Sequence, residues 1–214
     1  MTDMKLPPET AVAAYKAVAT CTGTNKADVD TYKIMRFRIW EGIGALIEAT
    51  DNMAVAQAWL PEKHGDSRPD TEADLEVNIV DSAGRVGGLI AHAARTEETL
   101  SLKLVEEEDG LPGFTKRVID FRCGNRERLK AATLGVATPP LDGLFDRFEP
   151  AEAAAIHLGP SSGERLRSMT AAVGSVDLRH ADNGTALVTP ARYPGFDFRA
   201  IMSVAAPKVA EAAG

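Results

Sequence analysis

The chain has 214 residues, with 24 Lys or Arg against 31 Asp or Glu, a formal net charge of −7 and a sequence pI near 5.2. Hydrophobic residues at 44% and charged residues at 26% are globular proportions, and a chain this long builds a core without staples, which excludes a disordered or disulfide-framed protein. The acid excess excludes a protein that coats nucleic acid over its whole surface, but not a basic stripe on an acidic body.

The N-terminal residues Met1-Thr2-Asp3-Met4-Lys5-Leu6-Pro7 lack the apolar core of a secretion signal, and no run approaches 18 apolar residues. With Cys21 and Cys123 as the only cysteines, reduced thiols and a cytoplasmic location are the expectation.

Pro7-Pro8-Glu9-Thr10 opens a helix, with proline and an acid in its first turn, and Ala11 to Thr20 continues it to a stop at Gly23 and Asn25. From Tyr32 to Trp40 the residues are β-formers, and Met35, Phe37 and Ile39 alternate with Arg36 and Arg38. Residues 41–60 admit two readings. Strands over Ala45–Ala49 and Met53–Leu60, turning at Thr50-Asp51-Asn52, compete with alanine-rich helix, because Ile43, Ile47, Thr50 and Ala54 also make a helical stripe. Propensity alone favours the helix, and the repeat described below favours the strands.

Pro61 to Thr71 reads as a polar loop, and Leu75, Val77 and Ile79 mark a strand. A helix follows over 82–95. Its apolar face is Val86, Leu89, Ile90 and Ala93, and its opposite arc holds Arg85, Gly88, His92 and Arg95. Strands are expected over Thr99–Val105, Lys116–Cys123 and Glu127–Leu134. Ala137-Thr138-Pro139-Pro140-Leu141-Asp142-Gly143 breaks any element and divides residues 1–138, holding two α/β units, from a final unit over 150–214, with 139–149 as linker. The last unit reads as a strand over Ala153–Leu158, a helix over 162–173 capped by a serine and stopped by Gly174, a hairpin turning at Asn183-Gly184, and a strand from Phe196 to Ala205.

A helix feeding antiparallel strands thus recurs from Pro8, from Ser82 and from Ser162, the signature of an internal repeat. The implied class is α+β, with repeated β-α-β-β-β units and antiparallel sheets. That unit in tandem resembles the DNA sliding clamps, the polymerase processivity factors. Glu48-Ala49-Thr50-Asp51 with Met53-Ala54-Val55-Ala56 and Pro61 is similar to a strand-turn-strand of bacterial clamps. Leu166 to Val173, Val176-Asp177-Leu178, Ala186 to Pro190, and Ala200-Ile201-Met202-Ser203-Val204 are similar to the closing half of their last domain. Bacterial clamps have three domains and are longer. The length is nearer that of two-domain clamps, which need four units where three are legible here.

The resemblance implies a non-catalytic homo-oligomeric ring around double-stranded DNA that tethers polymerase and clamp-loader peptides, with no cofactor, metal or catalytic residue. Such a ring needs cations on its inner helices, acting on phosphates without reading bases. The candidates are Lys16, Arg85, His92, Arg95, Arg165 and Arg167; the competing reading makes them ordinary solvated helix faces. The resemblance would place a peptide pocket at Leu141, Leu144, Phe145 and Met202, and the competing reading makes these a cover for the seam between halves.

Other chemistry is thinly represented. His64, His92, His157 and His180 have no metal-ligand spacing. Gly84-Arg85-Val86-Gly87-Gly88 follows a strand at a helix start, where phosphates bind, but matches neither nucleotide fingerprint; its glycines can instead allow close helix-on-sheet packing. Cys123, with Arg122 and Arg126 nearby, supports an alternative as a small enzyme using that thiol or a histidine. A second alternative is a structural or assembly protein, for instance of a virus particle.

Overall fold

The computed structural model describes residues 4–23, 34–51, 53–81, 84–108, 115–124, 127–132, 141–151, 156 and 158–204. The first unit opens with a short strand, β1 (Met4–Leu6), where the sequence pattern assigned no element. Helix α1 (Pro8–Ala19) has proline in its first turn and buries Ala11, Ala14, Tyr15, Ala17 and Val18, one continuous stripe at helical spacing. Strands β2 (Met35–Trp40), β3 (Gly44–Thr50) and β4 (Ala54–Pro61) follow as an antiparallel meander.

Residues 44–50 and 54–61 are therefore strands. The helical stripe there loses to pairing on both sides: Met35 opposes Ala49, and Ala49 opposes Ala56. The alanines have a packing reason. Ala45, Ala49, Ala54, Ala56 and Ala58 all belong to the core beneath the helices, where small side chains let α1 lie close on β3 and β4.

The second unit repeats the order: β5 (Leu75–Ile79), α2 (Arg85–Thr96), β6 (Leu100–Glu108), β7 (Thr115–Cys123) and β8 (Glu127–Ala132). The two units exchange first strands. β1 pairs with β6 in a sheet ordered β1-β6-β7-β8, while β5 pairs with β2 in the other sheet.

Residues 144 and 145, read from sequence as irregular linker, belong to a short helix, α3 (Asp142–Asp146). Then come α4 (Pro160–Val173) and strands β9 (Val176–Ala181), β10 (Thr185–Pro190) and β11 (Asp197–Ser203). α4 starts two residues before Ser162, behind Gly159, and no side chain caps it. Ser162 instead donates to the Ser203 carbonyl at 2.8 Å, tying the helix start to β11. The strand expected over Ala153–Leu158 and the break at residues 137–140 fall largely outside the described residues.

β11 pairs with β4, so the two sides of the linker share one seven-stranded sheet, ordered β5-β2-β3-β4-β11-β10-β9. α1 lies between α2 and α4 and touches both, and the main core fills the space between these helices and the sheets. The opposite face of the seven-stranded sheet carries separate clusters around Trp40, Leu46 and Trp59 and around Val55, Leu141 and Phe145.

Candidate functional site

The three long helices present a surface whose charge opposes that of the whole chain. Their charged residues are Lys16, Arg85, Arg95, Arg165 and Arg167 against Glu9 and Glu164, and α2 has no acid at all. Lys16, Arg85, Arg95 and Arg167 are exposed, and His92 is half-buried.

Arg165 departs from the expected solvent-facing role. Its side chain is 17% exposed and is ion-paired to Asp51 in the β3–β4 turn. Asp51 also accepts from the Met53 and Ala54 amides at 3.0 and 2.9 Å, so one carboxylate shapes the turn and anchors α4.

The glycine-rich start of α2 is occupied from within the chain. Asp81 accepts from the Val86 and Gly87 amides at 3.1 and 3.0 Å, filling the place an incoming anion would take. Tyr15 of α1 donates to the same carboxylate at 2.5 Å, and its burial, followed by this bond, raises the phenol's pKa. A Cβ on Gly87 would lie 2.7 Å from Tyr15 Cε1. The glycine thus serves helix-on-helix packing, not the helix-on-sheet contact expected from sequence.

Neither cysteine is presented as a nucleophile. Cys123 is fully buried and donates to Glu98 Oε2 at 3.3 Å, whereas reactive thiols are accessible. Cys21 is also fully buried, and desolvation pushes it up to about 12. The His64 ring stacks on Tyr193 at 6.0 Å, and His180 is buried on β9 opposite Ala186. His157 lies outside the described residues. Among the described residues, no group of three or more His, Cys, Asp or Glu converges as metal ligands would.

The outer face of the seven-stranded sheet holds the second candidate. Register places Arg36, Glu48, Gln57 and Arg199 side by side across β2, β3, β4 and β11. Glu48 is fully buried, with Arg36 Nε at 3.6 Å and Arg38 Nη1 at 3.9 Å. Desolvation raises its pKa against the opposing pull of Gln57 and Arg36. The next row, on the side of the β9–β10 turn, is apolar: Val55, Ile201 and Leu187.

α3 lies across these rows. Leu141 and Phe145 bury themselves on Val55, Leu187 and Ile201, and the Arg199 guanidinium sits 4.1 Å from the Phe145 ring centre. Asp142 accepts from both Arg68 Nη atoms, from Arg38 Nη1, each at 2.8 Å, and from Gln57 Nε2 at 2.9 Å. The Arg68 bonds, foremost, hold its carboxyl well below the ordinary range.

Of the four residues expected to line a peptide pocket, Leu141 and Phe145 meet at this seam. Leu144 is 47% exposed, and Met202 belongs to the main core, on the side facing the helices. Alternation along β11 separates them, sending Met202 to one face and Ile201 to the other. The polar partners Arg68, Asp142 and Arg199 escaped sequence reasoning. A glutamate and a glutamine inside apolar strands were the available signal, but nothing local ties Gln57 to Arg199.

Three solved structures share the fold. The structure of the DNA polymerase III subunit beta from Pseudomonas aeruginosa superposes over 96% of this chain and 66% of its own, at a TM-score of 0.63 and 11% identity. The fold is that of the bacterial sliding clamps. The DNA polymerase sliding clamp from Caulobacter crescentus matches over 95% of this chain and 65% of its own, at TM-score 0.56 and 14% identity. The subunit beta from Borrelia burgdorferi, solved with a natural product, matches over 96% and 63%, at 0.62 and 6% identity. This chain therefore spans a little under two thirds of the sliding clamps it superposes on. No family model and no curated protein sequence matches it. No helix among the described residues is long and apolar enough to cross a membrane.

Proposed function

We propose that this chain is a non-catalytic sliding clamp: it assembles with copies of itself into a ring around duplex DNA and tethers replication proteins. The observation that carries the reading is the charge of the helix layer. Four exposed basic residues, Lys16, Arg85, Arg95 and Arg167, stand against two exposed acidic ones, Glu9 and Glu164, on α1, α2 and α4, in a chain whose net charge is −7. A ring that slides needs cations spread over the wall facing the phosphates, and acid elsewhere limits binding to other surfaces. In this reading Lys16, Arg85, His92, Arg95 and Arg167 face the DNA, while Arg165 holds α4 in place. Partner proteins bind by short peptides on the outer face at the β4–β11 seam, where Leu141, Leu144 and Phe145 lie.

The experiment is retention on circular DNA. After loading, the chain stays on a closed circle in salt that strips ordinary phosphate binders, and linearising the circle releases it. Equal loss from circular and linear DNA at the same salt contradicts the reading. An assembly protein would form particles of defined size without this dependence on DNA topology.

A further inference from the structure

The segment that joins the two sides of the seam is bonded to the sheet as a ligand would be. α3 has five residues, too few to hold a helical shape unaided. Three side chains fix it to the outer face: Leu141 and Phe145 in the apolar row, and Asp142 between Arg38, Arg68 and Gln57. Leu144, on the same short helix, remains exposed. The receiving surface is built from parts of the chain other than α3. It is assembled from β4, β10 and β11 and from the loop bearing Arg68, and β4 and β11 are already paired through six residues.

Asp142 of the segment supplies that surface with a carboxylate among its arginines. Arg68 forms its ion pair with Asp142, and Arg199 Nη2 is 3.6 Å from the same carboxylate. Beside the docked helix a cavity of about 640 Å³ continues along the sheet, lined by Arg38, Trp59, Arg68, Asp142 and Arg199 among others. A second carboxylate can enter there and reach the guanidiniums before Asp142 leaves, so exchange need not pass through an empty groove.

We infer that residues 141–146 are an internal ligand of this groove, and that the groove takes in trans a short peptide with the same chemistry: an apolar residue, an acid beside it, and an aromatic three positions after the acid. The inference rests on the tethering role proposed above and adds its regulation. A partner peptide binds by displacing the linker, so its affinity is reduced by the fraction of chains whose linker is undocked.

The test uses the full chain and a labelled synthetic peptide with the sequence of residues 139–148, followed by fluorescence anisotropy. Asp142→Asn with Phe145→Ala in the chain weakens the internal ligand, and the peptide is expected to bind this variant at least about tenfold more tightly than the parent. Adding Arg68→Glu to that variant abolishes binding, and a peptide with asparagine for the acid and alanine for the aromatic fails on every chain. If the double variant does not fold, as judged by its melting curve, Asp142→Asn alone replaces it, with the same ordering expected. Equal affinity for parent and variant, or no binding to a folded variant, overturns the inference. The assay contains no DNA. Failure here with ring formation intact removes only the internal ligand, whereas loss of the ring with peptide exchange intact removes only the clamp.

Discussion

Arg165 of α4 is held by Asp51 of the β3–β4 turn, with Nη1 3.4 Å from Oδ1 and Nη2 bonded to Oδ2. A helix and a turn on opposite sides of the linker in sequence are thereby joined, and two arginines two residues apart acquire different duties. Arg165→Ala strands a largely buried carboxylate and is expected to cost about 1–3 kcal/mol in denaturant unfolding. Arg167→Glu, at an exposed site, should change stability by no more than about 0.5 kcal/mol.

DNA binding tests the exposed arginines of α2. Each phosphate contact contributes about 0.9 to the slope of log affinity against log salt. Arg85→Glu with Arg95→Glu is expected to lower that slope by about 2 while the melting curve stays near that of the parent. Unchanged slopes in the folded double variant would remove α2 from the DNA-facing surface.

The α1–α2 contact predicts a steric effect at a glycine. Gly87→Ala places a methyl 2.7 Å from the Tyr15 ring and should destabilise by about 1–3 kcal/mol, although alanine is the better helix former. Tyr15→Phe, which loses the bond to Asp81, should cost about 1 kcal/mol. Chemical denaturation of the two single variants measures both. A stabilised Gly87→Ala would mean that the helices do not approach at this residue.

Stability against pH should show two opposed contributions from the outer face. The Asp142 carboxyl titrates below its unfolded value of about 3.9, so its ionised form stabilises the fold. That contribution is complete above the unfolded value and is lost as pH falls toward the lower folded one. Glu48 titrates above its unfolded value of about 4.3, so the native state holds that proton more tightly and stability declines as pH rises through its titration. Melting temperatures across the acid range should therefore lose part of their acid-side fall in Asp142→Asn, and part of their decline toward neutral pH in Glu48→Gln. Parallel curves for parent and variants would contradict these assignments.

Much of the architecture was legible because it repeats. The hairpin at Asn183-Gly184 and the alternation from Leu100 onward needed only local pattern. Residues 44–61 did not yield to local pattern, because their alanines suit a helix as well as a strand; the comparison with the other two copies resolved them. The cations on α2 were legible as an arc opposite its apolar face. Arg165 was not, since its partner Asp51 is 114 residues away. The seam groove was half visible: Leu141 and Phe145 stood out as apolar residues in a linker, while Arg68, Gln57 and Arg199 come together only through strand register and a loop. Met202 was placed with the wrong face because a linear motif does not record which way a strand begins its alternation.

Ring formation is read most directly by negative-stain imaging of the purified chain at micromolar concentration, with native mass spectrometry to count the copies. Closed rings of a fixed number of subunits, with a hole that admits duplex DNA, are expected. A monomer throughout, or open filaments without closure, would contradict the proposed ring.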